Sequence, residues 1–152
     1  MADRHLLTDL RLELLHRRLR PLYRAGEREV RAPGRPDRRL DLAVVSGRDN
    51  LGQAIVMRLL TPRGELAALG HPEYGSRLHE LIGRQNTELT RNLVKLYVLD
   101  ALQFEPRIER GVDVDVQADP ATRSRVNVGL RVRPVGATET VTIGPFTLEL
   151  GP

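Results

Sequence analysis

The chain has 152 residues, 40% of them hydrophobic, a net charge of +4 and no cysteine. That length suits one domain, or one domain with an appendage. The absence of cysteine excludes disulfides and thiolate metal sites, and no apolar run approaches the roughly 18 residues that a membrane span requires. Such a composition fits a protein of the cytoplasm or one assembled there, and the N-terminus shows no signal-peptide pattern. The charge is uneven. Residues 1–40 hold eleven arginines against six carboxylates, and the remainder is close to balance. A basic arm can indicate nucleic acid. Lys95 is the lone lysine, however, and five aromatic residues make no stacking platform for bases, so nucleic-acid binding is not expected.

The first segment, Asp3 to about Tyr23, reads as a helix. Leu12, Leu15, Leu19 and Leu22 repeat at a 3-4-3 spacing, a coiled-coil-like seam suited to a partner helix. Arg24 to Arg39 carries Gly26, Pro33, Gly34 and Pro36 among charges and reads as a linker. Leu40 to Val45 reads as a short strand. Asn50 with Gln53 three residues on is a capping-box pattern, opening a helix whose face carries Leu51, Ile55 and Leu59. Thr61-Pro62-Arg63-Gly64 ends it, Gly70 to Gly75 forms a second loop, and Ser76 caps a short helix that Gly83 stops. Asn86 or Thr87 caps the next helix, with Glu88 in its first turn. From Leu93 to Leu102 that helix is apolar nearly all round, as befits the spine of a core.

Pro106 sits where the apolar period changes from helical to alternating. It lacks a backbone N–H and pushes Glu105 into an extended conformation, so the helix ends near Gln103. Three strands follow. Ile108 to Gln117 alternates, with Val112, Val114 and Val116 on one side and Asp113 and Asp115 on the other. Val126, Val128, Leu130 and Val132 alternate again, and Val141 to Leu150 completes a meander whose Gly144-Pro145 step signals a bulge on an edge strand. The expected class is α+β: a helical layer packed on a small antiparallel sheet, with an N-terminal helical arm. The expected division is an arm over residues 1–24, a linker over 25–39 and a body over 40–152.

No catalytic signature stands out. His79-Glu80 begins like a zinc-protease motif, but Gly83 stands where the second histidine is needed. The four histidines have no metal-ligand spacing, and Gly47 and Gly52 are followed by Gln53 where a phosphate loop needs lysine. Glycoside hydrolysis needs a protonated carboxylic acid beside a carboxylate. Arg107 next to Glu105 would lower that acid's pKa, the wrong direction. Glu105-Pro106-Arg107 instead suggests a charged pair at a fixed corner, either closing the helix–sheet junction or forming a contact surface.

Leu59-Leu60-Thr61-Pro62-Arg63-Gly64-Glu65, Pro72-Glu73-Tyr74-Gly75-Ser76 and Phe104-Glu105-Pro106-Arg107-Ile108 occur in this order. Together they resemble the baseplate wedge family of contractile tails, the "lysozyme-like" wedge subunit of T-even phages, with relatives in type VI secretion and other injection systems. The resemblance covers about residues 40–150. It implies a non-enzymatic structural protein with no cofactor and no membrane insertion, located in the cytoplasm or in a phage tail or injection particle. It also implies six copies at the tube's base, with the sheath protein, other wedge subunits and tube-base hub proteins as partners. The residues expected to face the sheath are Glu105, Pro106, Arg107, Val141, Ile143 and Leu148, and those expected to join the wedge are Leu12, Leu15, Leu19 and Leu22. The alternative is a small peptidoglycan-hydrolysing enzyme.

Overall fold

The computed structural model of the chain describes residues 6–14, 23–31, 38–109 and 112–150. Its C-terminal half is the expected antiparallel meander, β7 (Asp113–Ala118), β8 (Arg125–Val132) and β9 (Val141–Glu149), in that spatial order. Val126, Val128, Leu130 and Val132 all point into the core, as their alternation requires. Two helices cover that face. α1 (Gly47–Leu60) contributes Leu51, Ile55, Leu59 and Leu60, and α2 (Glu88–Leu102) contributes Val94, Val98, Ala101 and Leu102, all buried. Each large side chain so removed from water stabilises the fold by about 1.5–3 kcal/mol. The class is α+β, as expected.

Local chemistry explains the boundaries. The Thr87 hydroxyl accepts from the Thr90 N–H at 3.2 Å and caps α2. α2 stops at Leu102, ahead of Pro106. Between Val128 and Leu130 the register with β9 shifts, at Gly144-Pro145. A Cβ on Gly144 would lie 2.8 Å from the Phe146 nitrogen and 2.9 Å from the Val128 carbonyl oxygen, so only glycine passes there.

The N-terminal third departs from expectation. Residues 8–14 and 23–25 are extended, so no helical seam exists at Leu12. Leu15, Leu19 and Leu22 lie outside the described residues. The segment forms β1 (Thr8–Leu10), β2 (Leu12–Leu14) and β3 (Tyr23–Ala25), and the expected linker holds β4 (Glu27–Arg31) and the start of β5 (Arg38–Leu42), followed by β6 (Val44–Ser46). β1 pairs with β6, β2 with β3, and β4 with β5. Three extended segments thus each change partner at their midpoint. At Arg11, Gly26 and Ala43 the backbone closes a ring: Arg11 N–H donates to Ala43 C=O (2.8 Å), Ala43 N–H to Gly26 C=O (2.8 Å), and Gly26 N–H to Arg11 C=O (2.7 Å). All three residues are satisfied at the node where the ribbons meet.

Helix α1 ties this junction to the body. Asn50 does not cap the helix, which begins earlier, after an extended Ser46. Instead the buried Asn50 amide donates to the Leu6 carbonyl at 2.8 Å. One turn on, the Gln53 amide donates to the Leu10 carbonyl and accepts from the Leu12 N–H, both at 2.8 Å. Gln53 therefore acts as a peptide group would in a neighbouring strand. Leu6 is fully buried in the same core as Val98 and Leu148. Residues 6–14 are thus bonded to the body.

The α2 spine is also less enclosed than its composition suggests. Leu89 and Leu96 are 69% and 56% exposed, so one stripe of the helix faces out. A prediction follows from the α1 clamp. Gln53→Ala should speed amide exchange across residues 8–14 while the β8 amides keep their protection, as hydrogen-exchange mass spectrometry would show. Equal acceleration in β8 would mean the junction and the sheet unfold as one unit.

Candidate functional site

The corner after α2 brings together residues far apart in sequence. Glu105 is 4% exposed. Arg107 grips it in a fork: Nε donates to Oε1 at 2.6 Å and Nη2 to Oε2 at 3.3 Å, while the Arg107 backbone N–H also reaches Oε1. From the other side Arg58 of α1 donates through Nη2 to Oε2 at 3.3 Å. The guanidinium of Arg58 lies 4.6 Å from the centre of the Tyr74 ring. The Arg107 carbonyl accepts from the Val135 N–H at 2.9 Å, so the corner is stitched to the loop after β8. Pro106 is exposed at its apex.

Burial alone raises the Glu105 carboxyl and is the largest single influence on it. The Arg107 hydrogen bonds and the charges of Arg107 and Arg58 together outweigh it, holding the carboxyl below its ordinary value. Burial raises the Tyr74 hydroxyl, with Arg58, Glu105 and Arg107 all close enough to act on it.

Tyr74 is positioned by an unusual loop. Gly75 has φ +105°, and a Cβ there would lie 2.5 Å from the Thr61 carbonyl oxygen. The Ser76 N–H donates to that same oxygen at 2.8 Å, and the Ser76 hydroxyl donates to the Leu59 carbonyl while accepting from the Leu78 N–H. Ser76 thus leads into the expected short helix, which is a 3₁₀ helix over Leu78–Leu81 with Arg77 at its N-cap position. Beside it Arg63 Nη1 pairs with Asp100 at 2.6 Å, and its guanidinium faces the Phe104 ring at 5.6 Å.

A second feature lies along β9. Among the described residues no strand pairs with the outer edge of β9 or of β7. Next to Val141–Gly144 is an open trough of about 370 Å³. Arg48, Asp49, Gly52, Gln53, Val56 and Met57 of α1, Leu12 and Leu14 of β2, and Tyr23 of β3 line the rest of it. Of the expected sheath-facing residues, Val141 and Ile143 line this trough, but the side chains of Ile143 and Leu148 are buried in the protein's own core. Leu12 faces the trough from a strand, not from a helical seam. The two edges differ in chemistry. β7 carries exposed Asp113, ion-paired with Arg131, and exposed Asp115, whereas β9 has no charge between Val141 and Leu148.

Sequence reasoning singled out Glu105, Pro106 and Arg107 but not Arg58 and Tyr74, which the structure places beside them. One signal was available for Arg58: it falls within the Leu51–Ile55–Leu59 apolar face, where an arginine needs a buried partner.

A family model described as "Baseplate wedge protein gp25" matches residues 45–135. A crystal structure from Geobacter sulfurreducens, described as "putative tail lysozyme", has the same fold: TM-score 0.57, 24% identity, covering 72% of this chain and 97% of that one. No curated protein matches the chain significantly.

The Glu105 carboxyl sits below its unfolded value, so its stabilising contribution is complete above the ordinary glutamate range and is lost as pH falls through the depressed value. The melting temperature of the wild type should therefore fall on acidification from pH 6 to 3, and Glu105→Gln should flatten that slope while lowering stability at neutral pH. A parallel pH profile in the variant would refute this. Gly75→Ala should cost more than the roughly 1–2 kcal/mol that left-handed backbone alone imposes. Gly64→Ala, at φ +87° with nothing within 4 Å, should cost only that amount in a denaturant titration.

Proposed function

The chain belongs to the baseplate wedge protein gp25 family, and on that premise we propose that it starts the sheath of a contractile injection machine by accepting sheath strands along β9. Membership of the family makes it a structural baseplate component that associates with other baseplate components. The single observation supporting the finer reading is the β9 edge, uncharged and unpaired among the described residues, beside a trough whose walls combine Leu12, Leu14, Val56 and Met57 with Arg48, Asp49 and Gln53. An extended segment entering there would gain main-chain hydrogen bonds from β9 and bury alternate side chains against Val56, Met57 and Leu14. The charged β7 edge is protected against the same event. Exposed Leu10, Leu40, Leu42 and Val44 on the N-terminal ribbons offer a separate apolar surface for neighbouring wedge subunits. Six copies at the tube's base, with sheath and hub proteins around them, follow from the family resemblance.

The rival reading, a peptidoglycan hydrolase, needs a carboxylic acid that stays protonated near neutral pH. Glu105 is tuned the opposite way, between two guanidiniums. Its role is better read as fixing the corner.

The test uses the absence of cysteine. Thr142→Cys on β9 and Asp115→Cys on β7 place single thiols on the two edges. Co-assembly with the sheath protein should protect Thr142→Cys from maleimide by at least about tenfold and leave Asp115→Cys reactive. Arg107→Ala, at a half-buried site, should impair sheath polymerisation while the protein stays folded. Protection at Asp115→Cys, or at neither position in assembled sheath, would overturn the β9 assignment.

A further inference from the structure

α2 buries only one of its sides. Thr90, Val94, Val98, Ala101 and Leu102 face the body. At about 3.6 residues per turn, the opposite side carries Leu89, Asn92, Leu93 and Leu96. Leu89 and Leu96 are 69% and 56% exposed, Asn92 is exposed and Leu93 is half-buried. These four stand at i, i+3, i+4 and i+7, the diamond of side chains that one helix presents to another where the two cross. A single exposed leucine is ordinary, but an apolar diamond on one helix face is an association surface.

The flanking charges select the occupant. Glu88 and Lys95 are both exposed and lie two turns apart on the same flank of the diamond. Among the described residues neither makes an ion pair. Lys95 is within reach of the Asp113 carboxylate, but Arg131 already holds that group. When two antiparallel helices are related by a two-fold axis, each flank meets the same flank of the other copy. A crossing centred between Asn92 and Leu93 then sets Leu89 against Leu96 of the second copy and Glu88 beside its Lys95, and the symmetry makes both contacts twice. A parallel pair would bring that flank to Leu93 and Tyr97, where the cations Arg77 and Arg63 are already held by Glu80 and Asp100.

We propose that the free protein pairs with a second copy of itself through α2, antiparallel about a two-fold axis. α2 is about 22 Å long, and one helix crossing covers far less than the roughly 800 Å² per partner of a stable complex. The dimer is therefore transient, with a dissociation constant on the order of 100 µM. A ring of six copies around a tube has a direction and no two-fold axis across it. The pairing thus belongs to the free subunit, where it covers the leucines, and it opens when the subunit enters the baseplate. It uses neither β9 nor the trough, so it stands or falls apart from strand acceptance.

Sedimentation equilibrium of the full chain from about 10 µM to about 1 mM should show a reversible monomer–dimer equilibrium. Leu96→Glu, at an exposed site, should weaken the dimer at least about tenfold without lowering the melting temperature. Glu88→Lys and Lys95→Glu should each weaken it about fivefold, and the double swap should restore it. The chain has no cysteine, so orientation can be read from single thiols. Under mild oxidation Asn92→Cys should cross-link to itself, whereas Leu89→Cys and Leu96→Cys should cross-link to each other when mixed and not to themselves. A chain that stays monomeric at the highest concentration, a dimer that Leu96→Glu leaves intact, a double swap that restores nothing, or self-cross-linking of Leu89→Cys would each overturn the pairing.

Discussion

Glu105 is a carboxylate that folding removes from water, and the geometry around it follows from that removal. A buried charge is tolerated only when paired and hydrogen-bonded. Arg107 supplies a fork from two residues away, and Arg58 supplies a second cation from α1. Pro106 fixes the turn that lets Glu105 and Arg107 meet. The result joins the end of α2, the last turn of α1 and, through the Arg107 carbonyl, the loop after β8. Such a cluster adds little net stability over a well-packed apolar one, but removing one partner leaves the others uncompensated, at a cost of about 3–5 kcal/mol. Its value lies in fixing one arrangement of helix and sheet.

That fixed arrangement leaves a gap of definite shape. α1 spans it, with Arg58 at one end of the helix and Gln53 nearer the other. Gln53 and Asn50 hold the backbone of the N-terminal segment, and the ring of bonds at Arg11, Gly26 and Ala43 holds the three ribbons together. The β2–β3 ribbon then stands opposite β9, and the trough is the space between them. Closing the trough would have required a side chain or strand from the protein's own chain, and none of the described residues fills it. The β9 edge is uncharged from Val141 to Leu148 and broken by the Gly144-Pro145 bulge, whereas the β7 edge is acidic.

The sheet, both helices and the corner were legible in the sequence because local periodicity and burial agree there. Val126 to Val132 alternates and is buried on alternation; Leu51, Ile55 and Leu59 share one helical face and are all buried. Pro106 and Thr87 end and begin α2 by local chemistry that needs no distant partner. The N-terminal third was misread because Leu12-Glu13-Leu14 satisfies both a two-residue and a heptad spacing. Helical propensity was overridden by strand pairing, β2 with the nearby β3 and β1 with β6, which lies beyond any local window.

The sequence by itself determined the class, the meander and its register-breaking Gly144-Pro145 step, the place where α2 must stop, and the identity of the charged corner. These depend on backbone dihedrals and on the alternation of side chains, which neighbouring residues set. Only the tertiary structure decided that Arg58 shares Glu105 with Arg107, that Asn50 and Gln53 bind a strand instead of capping a helix, and that a trough opens along β9. Those outcomes depend on which polar groups meet once water is excluded, and that is fixed by the packing of segments far apart in the chain.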